Sequence, residues 1–105
     1  MNNPIASYQA QSGSYPVGSS SNNFVTINIP FDPPLQLIPF VTANAVLDPA
    51  WPNIPDTFAV SVFNVSKTGF SVNIYRVDNL INVIKGGDPE GWAQNLHLGW
   101  IAYAD

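Results

Sequence analysis

The chain has 105 residues, a one-domain length that supports a core but not a core with a deep catalytic cleft. Hydrophobic residues make up 46% and charged residues only 10%, where soluble chains average about a quarter charged. A surface this poor in charge is expected to be partly covered by other chains. Three Lys/Arg against seven Asp/Glu give a formal net charge of −4, and Lys67, Arg76 and Lys85 cannot form the basic patch that a phosphate backbone requires. The composition argues against nucleic-acid binding.

There is no cysteine, which removes disulfides and thiolate metal sites. The start, Met1-Asn-Asn-Pro-Ile5, lacks the basic and apolar regions of a signal peptide, so synthesis in a cytoplasm is expected. No stretch approaches the length of a membrane span, and no membrane insertion is expected. Asn64-Val65-Ser66 fits the N-glycosylation sequon, a match without use in the absence of secretion.

Residues 1–23 are polar, rich in Ser, Asn, Gln and Gly, and read as an extended N-terminal arm. Fixing each residue of such a segment costs roughly 1–2 kcal/mol of entropy. It is expected to order only by packing on a neighbouring subunit or on its own sheet, with Tyr8, Tyr15 and Val17 as anchors. From Phe24 to Ile29 apolar and polar residues alternate, with Val25, Ile27 and Ile29 on one face, the period of a half-buried strand. Leu35 to Val41 reads as a second strand in which Pro39 marks an edge or a bulge. Asp48 to Asp56 holds three prolines and reads as a loop.

Phe58 to Val65 and Phe70 to Val77 read as antiparallel strands of a hairpin, presenting Phe58, Val60, Val62 and Phe70, Val72, Ile74 inward. Gly69 is expected to supply a positive φ in the turn. Leu80 to Ile84 reads as a short strand and Lys85 to Asn95 as a second long loop. Leu96 to Tyr103 closes the fold with Leu96, Leu98 and Trp100 on one side. Short strands at regular spacing without helical periodicity predict an all-β, six-stranded antiparallel β-sandwich over residues 24–105.

Phe63-Asn-Val-Ser-Lys-Thr-Gly-Phe70, set between Pro30-Phe31, Pro33-Pro34-Leu35 and the terminal Gly99-Trp-Ile-Ala102, resembles the H-type lectin domain. That family includes snail agglutinins and the discoidin C-terminal domain, and similar domains occur in bacteriophage tail proteins. The resemblance covers about residues 24–104. It implies a six-stranded sandwich that assembles as a homotrimer and, in the lectins, binds terminal galactose or N-acetylgalactosamine. The family's arginine falls near Thr57, and its tryptophan and histidine fall near Val77 and Asp78. This chain has none of them there. Arg76 lies one place off, and a shift of one residue in a strand reverses the face.

Asp56, Arg76 and Asp78 form the polar set near that site. Trp51 and Trp92, in loops rich in Pro or Gly, are candidate stacking platforms or partner anchors, or else fold back to cap an end of the sandwich. Asp48, Asp56, Asp78, Asp88 and Glu90 all lie in or beside predicted loops and read as solvated turn carboxylates, and Gly86-Gly87-Asp88 as a turn. His97 is the one histidine, placed on the face opposite Leu96 and Leu98, with no spacing of His, Asp or Glu that makes a metal site. No cofactor is expected. No nucleophile is paired with a base, so the chain reads as non-enzymatic. The resulting expectation is an oligomeric structural or interaction module of a larger assembly such as a phage virion. The alternative is a carbohydrate-binding lectin or receptor-binding adhesin of altered specificity on cell-surface glycans.

Overall fold

A computed structural model describes residues 9–50, 56–78 and 91–104. Six strands account for most of them: β1 (Gln9–Ser20), β2 (Phe24–Pro30), β3 (Phe40–Val46), β4 (Phe58–Phe63), β5 (Gly69–Arg76) and β6 (Trp92–Ala104). They form two antiparallel three-stranded sheets, ordered β1-β6-β3 and β2-β5-β4. The fold is the all-β sandwich that the alternation predicts. The chain changes sheet at every connection except the β4–β5 hairpin, so the two layers are stitched at both ends.

Period 2 decides which side chains meet between the layers. Ile27 and Ile29 of β2, Phe70, Val72 and Ile74 of β5, and Leu96, Leu98 and Ala102 of β6 form the buried cluster. Phe58, Val60 and Val62 of β4 and Val41, Ala43 and Ala45 of β3 pack against its rim. Phe31, Phe70 and Trp100 close one end as an aromatic trio with ring centroids 5.3–5.9 Å apart.

Residues 9–20, read from composition as part of a polar arm, form β1 and pair with β6 of the same chain. The β2–β3 connection also departs from expectation. Leu35 to Phe40 is not a strand up to its last residue; pairing begins at Phe40 and runs to Val46. Pro33, Pro34 and Pro39 have no N–H for a ladder, and the segment is held by other bonds. Phe31 N donates to the Thr68 carbonyl (2.9 Å) and Leu35 N to that of Lys67 (2.8 Å). Gln11 Nε2 donates to the Pro33 carbonyl (2.6 Å), and Gln9 Oε1 accepts from Gln36 N (2.7 Å). The Asp32–Pro33 peptide bond is cis. The crossover is thus zipped to the hairpin loop on one side and to β1 on the other.

Gly69 does not take a positive φ; Asn64 does, at 53°. The glycine is required by closeness instead, because a Cβ there would lie 2.5 Å from the Ile29 carbonyl oxygen. The expected strand Leu80–Ile84 lies outside the described residues. The expected loop ending at Asn95 gives way earlier, at Trp92, where β6 begins.

Candidate functional site

Arg76 ends β5 on the same side as Phe70, Val72 and Ile74, so its guanidinium points between the sheets. There it meets acidic groups from both neighbouring connections. Its Nη2 lies 3.2 Å from Asp56 Oδ1 and 2.9 Å from Asp78 Oδ2, and its Nε donates to Asp78 Oδ1 (3.0 Å). Nη1 donates to the Gly91 carbonyl (2.7 Å). Asp78 Oδ1 also accepts from Thr57 N (2.9 Å). The hydrogen bonds from Arg76 hold the Asp78 carboxyl below its ordinary pKa, against a smaller upward push from burial.

The network crosses to the other sheet through Gln94. This side chain is fully buried; its Nε2 donates to Asp56 Oδ2 (3.0 Å) and its Oε1 accepts from Asp48 N (2.8 Å). Asp48, Gln94, Asp56, Arg76 and Asp78 therefore form one polar clasp across an end of the sandwich. The sequence set Asp56, Arg76 and Asp78 is brought together, but every Arg76 nitrogen donates within the protein. Its geometry is that of a fastening between sheets, not of a basic group offered to a ligand.

Trp92 lies beside the clasp. It is 4% exposed, packs edge-on against Phe58 at 5.0 Å, and donates Nε1–H to the Gly18 carbonyl (2.7 Å). Gly18 sits at φ 79° in an irregular stretch of β1, which aims that carbonyl inward. The ring is core and caps this end of the sandwich, as one of its two sequence readings expected, and it is not offered as a stacking platform. Trp51 lies outside the described residues. A groove of about 340 Å³ runs alongside, between the free edges of β3 and β4, walled by Ala43, Ala45, Phe58, Val60 and, at one end, Asp56 and Thr57.

Two surfaces carry no sequence motif. On the outer face of the β1-β6-β3 sheet, Phe40, Thr42, Asn44 and Val46 stand opposite Tyr103, Ile101, Gly99 and His97. Ala10, Ser12, Ser14 and Pro16 complete that face from β1. Phe40 is 68% exposed, Ile101 52% and Val46 50%; among the described residues of the face none is Asp, Glu, Lys or Arg. Outward alternation from Phe40 to Val46 was the available signal, hidden because the strand was placed five residues early.

The outer face of the other sheet is different in kind. Phe24 and Tyr75 stack at one end (5.0 Å, 17°). Further along, Thr26 Oγ1 donates to Asn73 Oδ1 and Ser71 Oγ to Asn28 Oδ1, both at 2.6 Å. Beyond them, at the hairpin end, lies a concavity of about 490 Å³ lined by Asn28, Pro30, Asn64, Ser66, Thr68 and Ser71, with Ile29, Gly69 and Phe70 beneath. Among the described residues there is no group of three or more His, Asp or Glu that could hold a metal ion.

The fold and surfaces define a β-sandwich with an internally fastened end and two outer faces that carry no Asp, Glu, Lys or Arg among the described residues. Among solved structures the chain is similar to the N-truncated R1-type pyocin tail fiber, with a TM-score of 0.65 and 16% identity over 93% of this chain and 71% of that one. It is also similar to the tailspike gp61 of Pseudomonas phage phi297, with a TM-score of 0.61 and 17% identity over 93% of this chain but only 16% of that one. At these identities the likeness establishes a shared fold. No protein-family model matches the chain, and no curated protein matches it.

Proposed function

We propose that the chain is a non-enzymatic structural module that forms homotrimers within a larger protein assembly of the phage tail-fibre kind, with the virion as its final location. The observation that carries this reading is the outer face of the β1-β6-β3 sheet. A chain of net charge −4 repels its own copies wherever acidic groups approach. The described residues of this face include no Asp, Glu, Lys or Arg to desolvate, and Phe40, Ile101 and Val46 are exposed on it. Burying such side chains stabilises association by about 25 cal/mol per Å² of apolar area. The likeness to a pyocin tail fiber and a phage tailspike, and the motif order shared with H-type lectin domains, support the same reading.

Sedimentation velocity tests it. Wild-type chain is expected to run as a trimer, and Phe40→Lys with Ile101→Lys to run as a folded monomer. A wild-type chain that remains monomeric at every concentration overturns the proposal. The clasp gives no support to a lectin site of the galactose type at Asp56, Arg76 and Asp78, because the arginine is already engaged.

A further inference from the structure

We propose that a notch at Gly99, on the outer face of the β1-β6-β3 sheet, receives the Phe40 ring of a second copy of the chain. The glycine itself prompts the inference. Inside a strand a glycine weakens the ladder, and one that stands there commonly marks a close approach by another group. For the other described glycines the chain supplies the reason. A Cβ at Gly13 would lie 2.9 Å from the Trp100 indole, one at Gly69 would press on the Ile29 carbonyl, and one at Gly91 on that of Ser20. Gly18 takes a φ of 79°. Gly99 has none of these causes. Its φ is not left-handed, and a Cβ there would meet only Val46 Cγ2, at an ordinary 3.7 Å.

The face is hollow around it. Gly99 stands between Ser14 and Asn44, and a space of about 280 Å³ opens there, walled by Thr42, Asn44, Val46 and Ile101. On the inner side of the same sheet, Gly13 shows what such a gap takes: the Trp100 indole lies over it from the paired strand. The Phe and Tyr rings of the outer face leave their own notch open, because Phe40 and Tyr103 pack on each other at 5.6 Å. Phe40 is the most exposed large apolar side chain among the described residues. It opens the edge strand β3 and, unlike Tyr103, has no hydroxyl to desolvate. A second copy fits better than a charged partner. Chains of net charge −4 meet here without opposing like charges, since the described residues of the face include no Asp, Glu, Lys or Arg.

Ring and notch occupy different places on the face, so the contact is heterologous, the kind that repeats around a closed ring of subunits. It rests on the trimer reading and supplies the pairing for it. The test is a double-substitution cycle on the full chain. Ultracentrifugation reads the concentration at which the trimer is half assembled, and circular dichroism reads folding. Gly99→Ala and Gly99→Leu are expected to stay folded and to raise that concentration about tenfold or more, Leu beyond Ala. Phe40→Ala is expected to raise it as well. Adding Gly99→Leu to Phe40→Ala is expected to cost nothing further, because the filled notch no longer meets a ring. Within one chain the two residues stand about 13 Å apart along the strands, at four residue steps. Substitutions that distant add when they act inside one chain, so non-additivity reports contact between copies.

A Gly99→Leu trimer as tight as wild type, or additive effects in the double variant, would overturn the proposal. So would an unchanged midpoint for Phe40→Ala, which gives the notch to another side chain. Should leucine prevent folding, Gly99→Ala decides, since its Cβ meets only Val46; unfolding of that variant too would assign the glycine to its own strand and defeat the contact. In each of these cases a trimeric wild-type chain leaves the assembly reading standing. A wild-type chain that is monomeric at every concentration defeats both.

Discussion

At Gly69 the backbone of β5 runs so close to β2 that a Cβ would lie 2.5 Å from the Ile29 oxygen and 3.1 Å from Pro30 Cα. Gly18 is the reverse case: its φ is 79°, and a Cβ would meet nothing within 4 Å. The two positions should therefore respond differently to asparagine, which accepts a left-handed backbone but still carries a Cβ. Gly18→Asn is expected to cost less than about 1 kcal/mol, and Gly69→Asn about 1–3 kcal/mol through forced displacement of backbone. Urea unfolding midpoints of the two variants check this. The sequence shows a glycine in a turn and invites the conformational explanation. The true constraint comes from a strand forty residues earlier, which no local pattern reports.

Two long connections meet at the clasp, and its strength should depend on pH. An unfolded Asp takes up its proton near pH ~3.9, whereas folded Asp78, held by Arg76, does so at lower pH. Its contribution to stability is complete above the unfolded value and is lost as pH falls through the folded one. In urea titrations from about pH 7 to pH 2, wild type is expected to lose stability at the acid end, and Asp78→Asn to start lower and lose less. Arg76→Met removes the partner of Asp56, whose side chain is 9% exposed. A destabilisation of about 2–4 kcal/mol is expected, as when one member of a largely buried pair is removed. A guanidine titration monitoring intrinsic tryptophan fluorescence would read it directly.

The elements differ in how far residues alone disclosed them. Strands β2, β4 and β5 were legible because Ile27 and Val72 stand between polar neighbours and Val60 between the small Ala59 and Ser61. The grouping of Asp56, Arg76 and Asp78 was legible as well, but its role was not. That role depends on Gln94, whose register in β6 follows from Trp92-Gln94-Leu96 continuing the same period upstream. Strand β1 was opaque for a physical reason. Val17 packs against the core, but the three inward positions before Tyr15 are Gln9, Gln11 and Gly13: the first two bond the crossover, and the third accommodates the indole of Trp100, which a Cβ would approach to 2.9 Å. None of the three carries the apolar mark by which an inward position is recognised.

For the whole molecule, the paired strands β1 and β6 set a mechanical property. Gln9 lies in register with Ala104, and Ser20 with Trp92, so the outer ends of the two longest strands sit side by side at the hairpin end of the sandwich. Tension applied through residues 9 and 104 loads this ladder one rung at a time, like a zip, instead of shearing all rungs together. Force spectroscopy with handles at these two positions should show β1 peeling from β6 at low force. The same handles placed on Gln9 and Trp92, at opposite ends of the ribbon, should meet a much higher rupture force. A module built this way resists load along its strands and yields to load across its ends, so the direction from which an assembly pulls on it decides whether it holds.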